Sequence, residues 1–189
     1  MNRKILITNC KLFDAAQDAP TTCVRIEDGI IAEIGQIENP AADNILDAES
    51  RILAPGLIDI HIQGAGGADV LDSTPEALQA ISQTCTRFGA TGFLATTVFR
   101  PGRPNEHISI AAENVGRDLG GANLLGIHLE GPFLNPEKKG GFGLRYIRKP
   151  TLEDFHHILR ILKDDLKLIT IAPELEARWT SSGKRALAA

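Results

Sequence analysis

A chain of 189 residues with 43% hydrophobic content holds enough apolar mass to bury a core, which separates it from disordered chains. Its 20 basic and 24 acidic residues leave a net charge of −4 with no Lys/Arg-rich tract, which argues against nucleic acid as a partner. No apolar run approaches about 18 residues and residues 1–7 carry no long apolar segment, so neither a membrane span nor a signal peptide is expected. Three widely spaced cysteines (Cys10, Cys23, Cys85) without a CxxC pair read as reduced, small hydrophobes in a cytoplasmic protein.

In chain order, residues 1–53 read as short strands punctuated by turns. Residues 4–7 and 23–26 are β-rich, Glu27-Asp28-Gly29 is a turn signal, and 30–34 resumes a strand to give a hairpin. Further short strands are expected at 45–48 and 51–53. Together they make a small β module, a partial sandwich. From residue 54 the rhythm changes. Residues 55–62 read as a strand, a helix follows from Ser73-Thr74-Pro75-Glu76, and Phe88-Gly89 ends it. The pattern then repeats. A strand at 91–98 leads to a helix at about 105–118, and a strand at 122–130 to a long loop at 131–150 rich in Gly, Pro and basic residues. A helix opening at Thr151 has apolar Leu152, Phe155, Ile158, Leu159 and Leu162 at helical spacing. A fourth strand covers 166–174, and a weak helix covers about 176–188. Four βα units mean a parallel sheet, either doubly wound or a (β/α) barrel. A full barrel takes roughly 31 residues per unit, so residues 54–189 would supply the first four units, half of one.

Several strand ends carry side chains able to meet a metal: His61 and Gln63 on the first, Glu130 on the third, Glu174 on the fourth. Positions 128 and 130 share one face of an extended strand, so His128 and Glu130 stand together at its mouth. A carboxylate there is desolvated and needs a cation, a proton or a donor. His61-x-Gln63 places an imidazole and a carboxamide on one face, but a carboxamide oxygen is a weak ligand. Taken alone, that pair is as well explained by a structural role. The Gly64-Ala65-Gly66-Gly67 loop does not read as a dinucleotide site, because Asp69 stands where the third glycine should be. Lys138-Lys139 reads as a solvated loop pair, and His107, His156 and His157 as surface residues. No Gly-x-Ser-x-Gly elbow and no Cys/His pair supports a nucleophile.

In order and context, five segments resemble the N-acetylglucosamine-6-phosphate deacetylases of the amidohydrolase superfamily. They are Pro55-Gly56-Leu57-Ile58-Asp59-Ile60-His61-Ile62-Gln63-Gly64, Gly89-Ala90-Thr91-Gly92-Phe93-Leu94-Ala95-Thr96-Thr97, the run from His128 to Pro136, Lys138-Lys139-Gly140, and Thr170-Ile171-Ala172-Pro173-Glu174. The resemblance implies a (β/α)8 barrel with a small β domain built from both chain ends. It also implies metal-assisted hydrolysis of the acetamide of a hexosamine 6-phosphate, with an Asp as base and then acid. By position, Glu130 matches the metal-binding carboxylate. His61 and Gln63 match a pair that binds an additional metal in some members. Gly141 and Phe142 match substrate-contacting positions, although the family has a His where Phe142 stands. The implied cofactor is zinc, with iron or another divalent ion as the alternative. The implied partner is an N-acetylhexosamine 6-phosphate, with a homo-oligomer or a complementing chain to close the open barrel.

The family's two metal-binding His, its substrate-binding Arg and its catalytic Asp align beyond residue 189. No catalytic residue is therefore expected here, and the chain is expected to be a truncated, inactive fragment. The alternatives are a non-catalytic remnant, a subunit needing a second chain, or a different cyclic-amide or aminoacyl amidohydrolase.

Overall fold

The structure, a computed structural model, describes residues 3–14, 19–38 and 41–175. Two compact units divide between Pro55 and Gly56. In the first, β1 (Lys4–Leu12) lies antiparallel to β2 (Thr22–Glu27) and parallel to β4 (Asn44–Asp47) and β5 (Ile52–Leu53), while β3 (Ile30–Gly35) pairs with β2. The expected hairpin is present. Asp28 and Gly29 take φ of 52° and 80°, the left-handed pair that a tight two-residue turn between right-twisted strands requires. Ile7, Cys10 and Val24 form its small core, and burial pushes the Cys10 thiol up.

In the second unit four strands run parallel: β6 (Leu57–Ile62), β9 (Ala90–Val98), β10 (Asn123–Glu130) and β11 (Leu166–Thr170). A two-strand hairpin, β7 (Gly64–Ala65) and β8 (Ala68–Asp69), follows β6. The spatial order β6-β9-β10-β11 equals the chain order, with no reversal. Helices α1 (Pro75–Arg87), α2 (Glu106–Glu113) and α3 (Leu152–Leu162) supply Leu78, Ile81, Ile108, Ile158 and Leu162 to the same core as Phe93, Leu124, Ile127 and Leu129 of the sheet. A doubly wound sheet reverses its strand order and carries helices on both faces. Here the strands advance in one direction with helices on one face, the progression of a (β/α) barrel. Each fully buried Leu, Ile or Phe in this layer stabilises the unit by about 1.5–3 kcal/mol.

The helix starts follow from their caps: Thr74 accepts from the Ala77 N–H and Thr151 from the Asp154 N–H. Three expectations need correction. α2 ends at Glu113, not near 118, because the chain turns through Asn114 and reaches a left-handed Gly116 at φ 72°. β11 stops at Thr170, so Glu174 is not a strand-end residue. His107 is buried, not on the surface: its Nε2–H donates to the Val98 carbonyl (2.9 Å) and its Nδ1 accepts from Arg100 (3.1 Å). The helix expected at 176–188 lies outside the described residues.

Candidate metal and substrate site

Side chains alternate across a strand, so β10 sends Ile127 and Leu129 into the helix layer and turns His128 and Glu130 to the opposite face. Three of the residues singled out from sequence meet on that face. The Gln63 amide donates to Glu130 Oε2 at 2.6 Å, and His61 Nε2 lies 3.9 Å from the same oxygen. β6 and β10 are separated by β9, which in a flat sheet would hold them about 9.6 Å apart. The long Gln63 and Glu130 side chains bridge that gap and bring the mouths of β6 and β10 together on this face. The Glu130 side chain is 25% exposed and that of His61 53%, so the carboxylate is partly desolvated while the imidazole meets solvent.

Below them lies His128, 2% exposed. Its Nδ1–H donates to the Ile60 carbonyl (3.1 Å) with Thr96 Oγ1 at 3.3 Å, and its Nε2 accepts from the Thr170 hydroxyl (2.8 Å). The ring stands edge-on to His61 at 4.9 Å. Burial first, and then the neighbouring His61, hold this imidazole below the ordinary histidine value.

The loop after β10 is stitched to the end of β11. Gly131 N–H donates to Thr170 O, Ala172 N–H to Phe133 O and Arg148 N–H to Pro132 O. Glu174 is held in this seam, not at the metal-facing cluster. It accepts from Asn135 Nδ2 at 2.9 Å, and that bond keeps its carboxyl below the usual range. Gly131 takes φ 75°, and a Cβ there would meet the tip of the Phe142 ring at 3.3 Å, so Phe142 reaches back to the residue that follows Glu130. Gly141 is exposed on the same loop, and the Phe142 N–H donates to Lys139 O.

The donor set suits a divalent ion in part. Two bonds of about 2.0–2.1 Å can span the 3.9 Å between His61 Nε2 and Glu130 Oε2. Among the described residues no group of three His, Cys, Asp or Glu side chains forms a metal cluster. The Gln63 amide nitrogen donates to Glu130 and so orients the carboxylate. The 128/130 alternation places His128 at the strand mouth, but its bonds to three other strands had no signal in the sequence. Thr170, which receives a partner from β10, was likewise unassigned.

No family model matches the chain. It is 33% identical over 183 residues to the N-acetylglucosamine-6-phosphate deacetylase of Bacillus subtilis (strain 168), a match that takes in 92% of this chain and 46% of that protein. It is 30% identical over 154 residues to the N-acetylgalactosamine-6-phosphate deacetylase of Escherichia coli O157:H7, across 81% of this chain and 40% of the relative. The crystal structure of the Pasteurella multocida N-acetylglucosamine-6-phosphate deacetylase superposes with a TM-score of 0.76 at 24% identity, over 92% of this chain and 46% of that one, and shows the shared fold. The chain thus spans less than half the length of the curated relatives it matches. No helix among the described residues is long and apolar enough to cross a membrane.

Proposed function

We propose that this chain supplies the first half of the barrel, and part of the metal site, of an N-acetylhexosamine-6-phosphate deacetylase. The observation that carries this reading is the convergence of His61, Gln63 and Glu130 at the strand mouths of a chain similar to such enzymes. Glu130 and His61 would hold a divalent ion, zinc as the first expectation, with Gln63 fixing the carboxylate that binds it. When bound, such an ion polarises a water and the substrate carbonyl for hydrolysis. On the loop after Glu130, Phe142 reaches back to Gly131, and it and the neighbouring Gly141 would border the sugar.

The 189 residues alone are proposed not to release acetate, because the described residues form no cluster of three metal ligands and the imidazole beside His61, that of His128, is buried and bonded at both nitrogens. The outer side of β6 supports a completing polypeptide. Leu57, Ile58 and Ile60 are exposed there, and a groove of ≈ 600 Å³ between β6 and α1 is lined by them with Cys85 and Phe88. The occupant that fits is the closing strand and helix of an eight-unit barrel, which would meet β6 as its first strand, since an unpaired edge with apolar side chains is otherwise an aggregation hazard. The test is acetate release from N-acetylglucosamine 6-phosphate with added zinc. The chain alone should give none. The chain joined to the remaining portion of the Bacillus subtilis relative should give release that Glu130→Ala abolishes. Release by the 189-residue chain alone, or by the joined protein without Glu130, would overturn the reading.

A further inference from the structure

The residue ladder between β6 and β9 breaks beside the candidate site. Asp59 is opposite Phe93 and Ile62 opposite Ala95, so three steps on β6 face two on β9. Ile60 and His61 sit in this bulge, a device that re-aims side chains next to functional sites. A bulge leaves backbone groups without ladder partners, and unpaired buried groups are costly. Side chains take up two of them here. The His61 N–H donates to its neighbour Asp59 (3.0 Å), and the Ile60 carbonyl accepts from His128 Nδ1, two strands away, at 3.1 Å.

We propose that His128 is a positioning residue that clamps the β6 bulge through the Ile60 carbonyl and so sets His61 and Gln63 against Glu130. The peptide whose oxygen it holds is the one that leads into His61, and Gln63 follows two residues on. The edge-on contact of the two imidazoles restrains the His61 ring as well. The opposite nitrogen of His128 is anchored by Thr170 of β11, so one buried side chain links all four strands of the sheet. This role gains its purpose from the metal reading above. It is testable without metal, so the failure of one does not entail the failure of the other.

The test uses the metal-free 189-residue chain and nuclear magnetic resonance of the Gln63 side-chain amide, whose hydrogen exchange is slowed while it is bonded to Glu130. His128→Phe keeps a buried ring but loses the donor to Ile60, and should cost that amide about tenfold in protection relative to the Leu129 backbone amide. His128→Asn keeps an N–H donor near the Nδ1 position and should retain most of it. Thr170→Val removes only the opposite anchor. It should lower the melting temperature while leaving the ratio of Gln63 to Leu129 protection within about twofold of the parent. The proposal falls if Gln63 is as protected in His128→Phe as in the parent, or if Thr170→Val disturbs it as much. Should His128→Phe fail to fold, the comparison of His128→Asn with Thr170→Val decides: selective loss of Gln63 protection in the second alone would overturn the clamp.

Discussion

Gly126 interrupts β10 two residues before His128, and replacing it with Ala should be among the more damaging single-methyl changes in the chain. Its φ of 154° is a conformation that L side chains rarely adopt, with a cost of order 1–3 kcal/mol. A Cβ built there lies 2.4 Å from Lys167 Cγ and 2.8 Å from the Asp165 carbonyl oxygen. The lysine chain can swing aside. The carbonyl belongs to the short turn Lys163–Asp165 that feeds β11, so relief needs a backbone shift and repacking of about 1–3 kcal/mol. The two effects overlap, which gives a loss of about 3–4 kcal/mol, a large fraction of a typical domain's stability. Gly116 provides the control. It has φ 72° with nothing within 4 Å of an added Cβ, so Gly116→Ala should cost only the conformational part, about 1–2 kcal/mol. Urea unfolding followed by circular dichroism measures both. With a slope of about 2 kcal/mol per M, the midpoint of Gly126→Ala should fall by about 1.5–2 M. A Gly126→Ala midpoint no lower than that of Gly116→Ala would refute the close-approach argument.

Two other outcomes follow from the same geometry. Burial lowers the folded-state pKa of both His107 and His128 below 6.5. The unfolded chain therefore binds protons first as pH falls, so the stability these neutral rings contribute is full above about 6.5 and declines below it. Each ring adds up to about 1.4 kcal/mol per pH unit to that decline, and His107→Gln should flatten the slope of unfolding free energy between pH 6.5 and 5 by up to this amount. An unchanged slope would mean that His107 takes up its proton as readily in the folded chain as in the unfolded one. In the joined enzyme, Phe142→His should raise kcat/KM for N-acetylglucosamine 6-phosphate about tenfold, since the imidazole restores one polar contact worth about 1.4 kcal/mol. No gain, or a loss, would show that Phe142 is adapted to a different substrate face.

The sequence was most informative where a local rule governs. The β2–β3 turn and the Thr74 and Thr151 caps carry short-range signals that the structure repeats. The alternation of β10 put His128 and Glu130 on one face without further help. Failures came where contacts outside the element itself decide. His107 looks like a surface helix-start residue until Val98 and Arg100 are seen to satisfy both of its nitrogens. Glu174 looks like the end of a strand until the loop from Pro132 to Arg148 captures the segment after Thr170. The bulge at Ile60 and His61 was illegible for the same reason, because its cause is an offset in pairing with β9.

Zinc titration by calorimetry into the 189-residue chain, Glu130→Ala and Gln63→His tests the central claim most directly. With two firm donors 3.9 Å apart, the parent should bind zinc weakly and below one equivalent, since tight sites use at least three protein ligands. Glu130→Ala should abolish the binding, and Gln63→His should tighten it about tenfold or more, because an imidazole replaces a carboxamide. Tight, stoichiometric binding that survives Glu130→Ala would place the metal elsewhere and contradict the account.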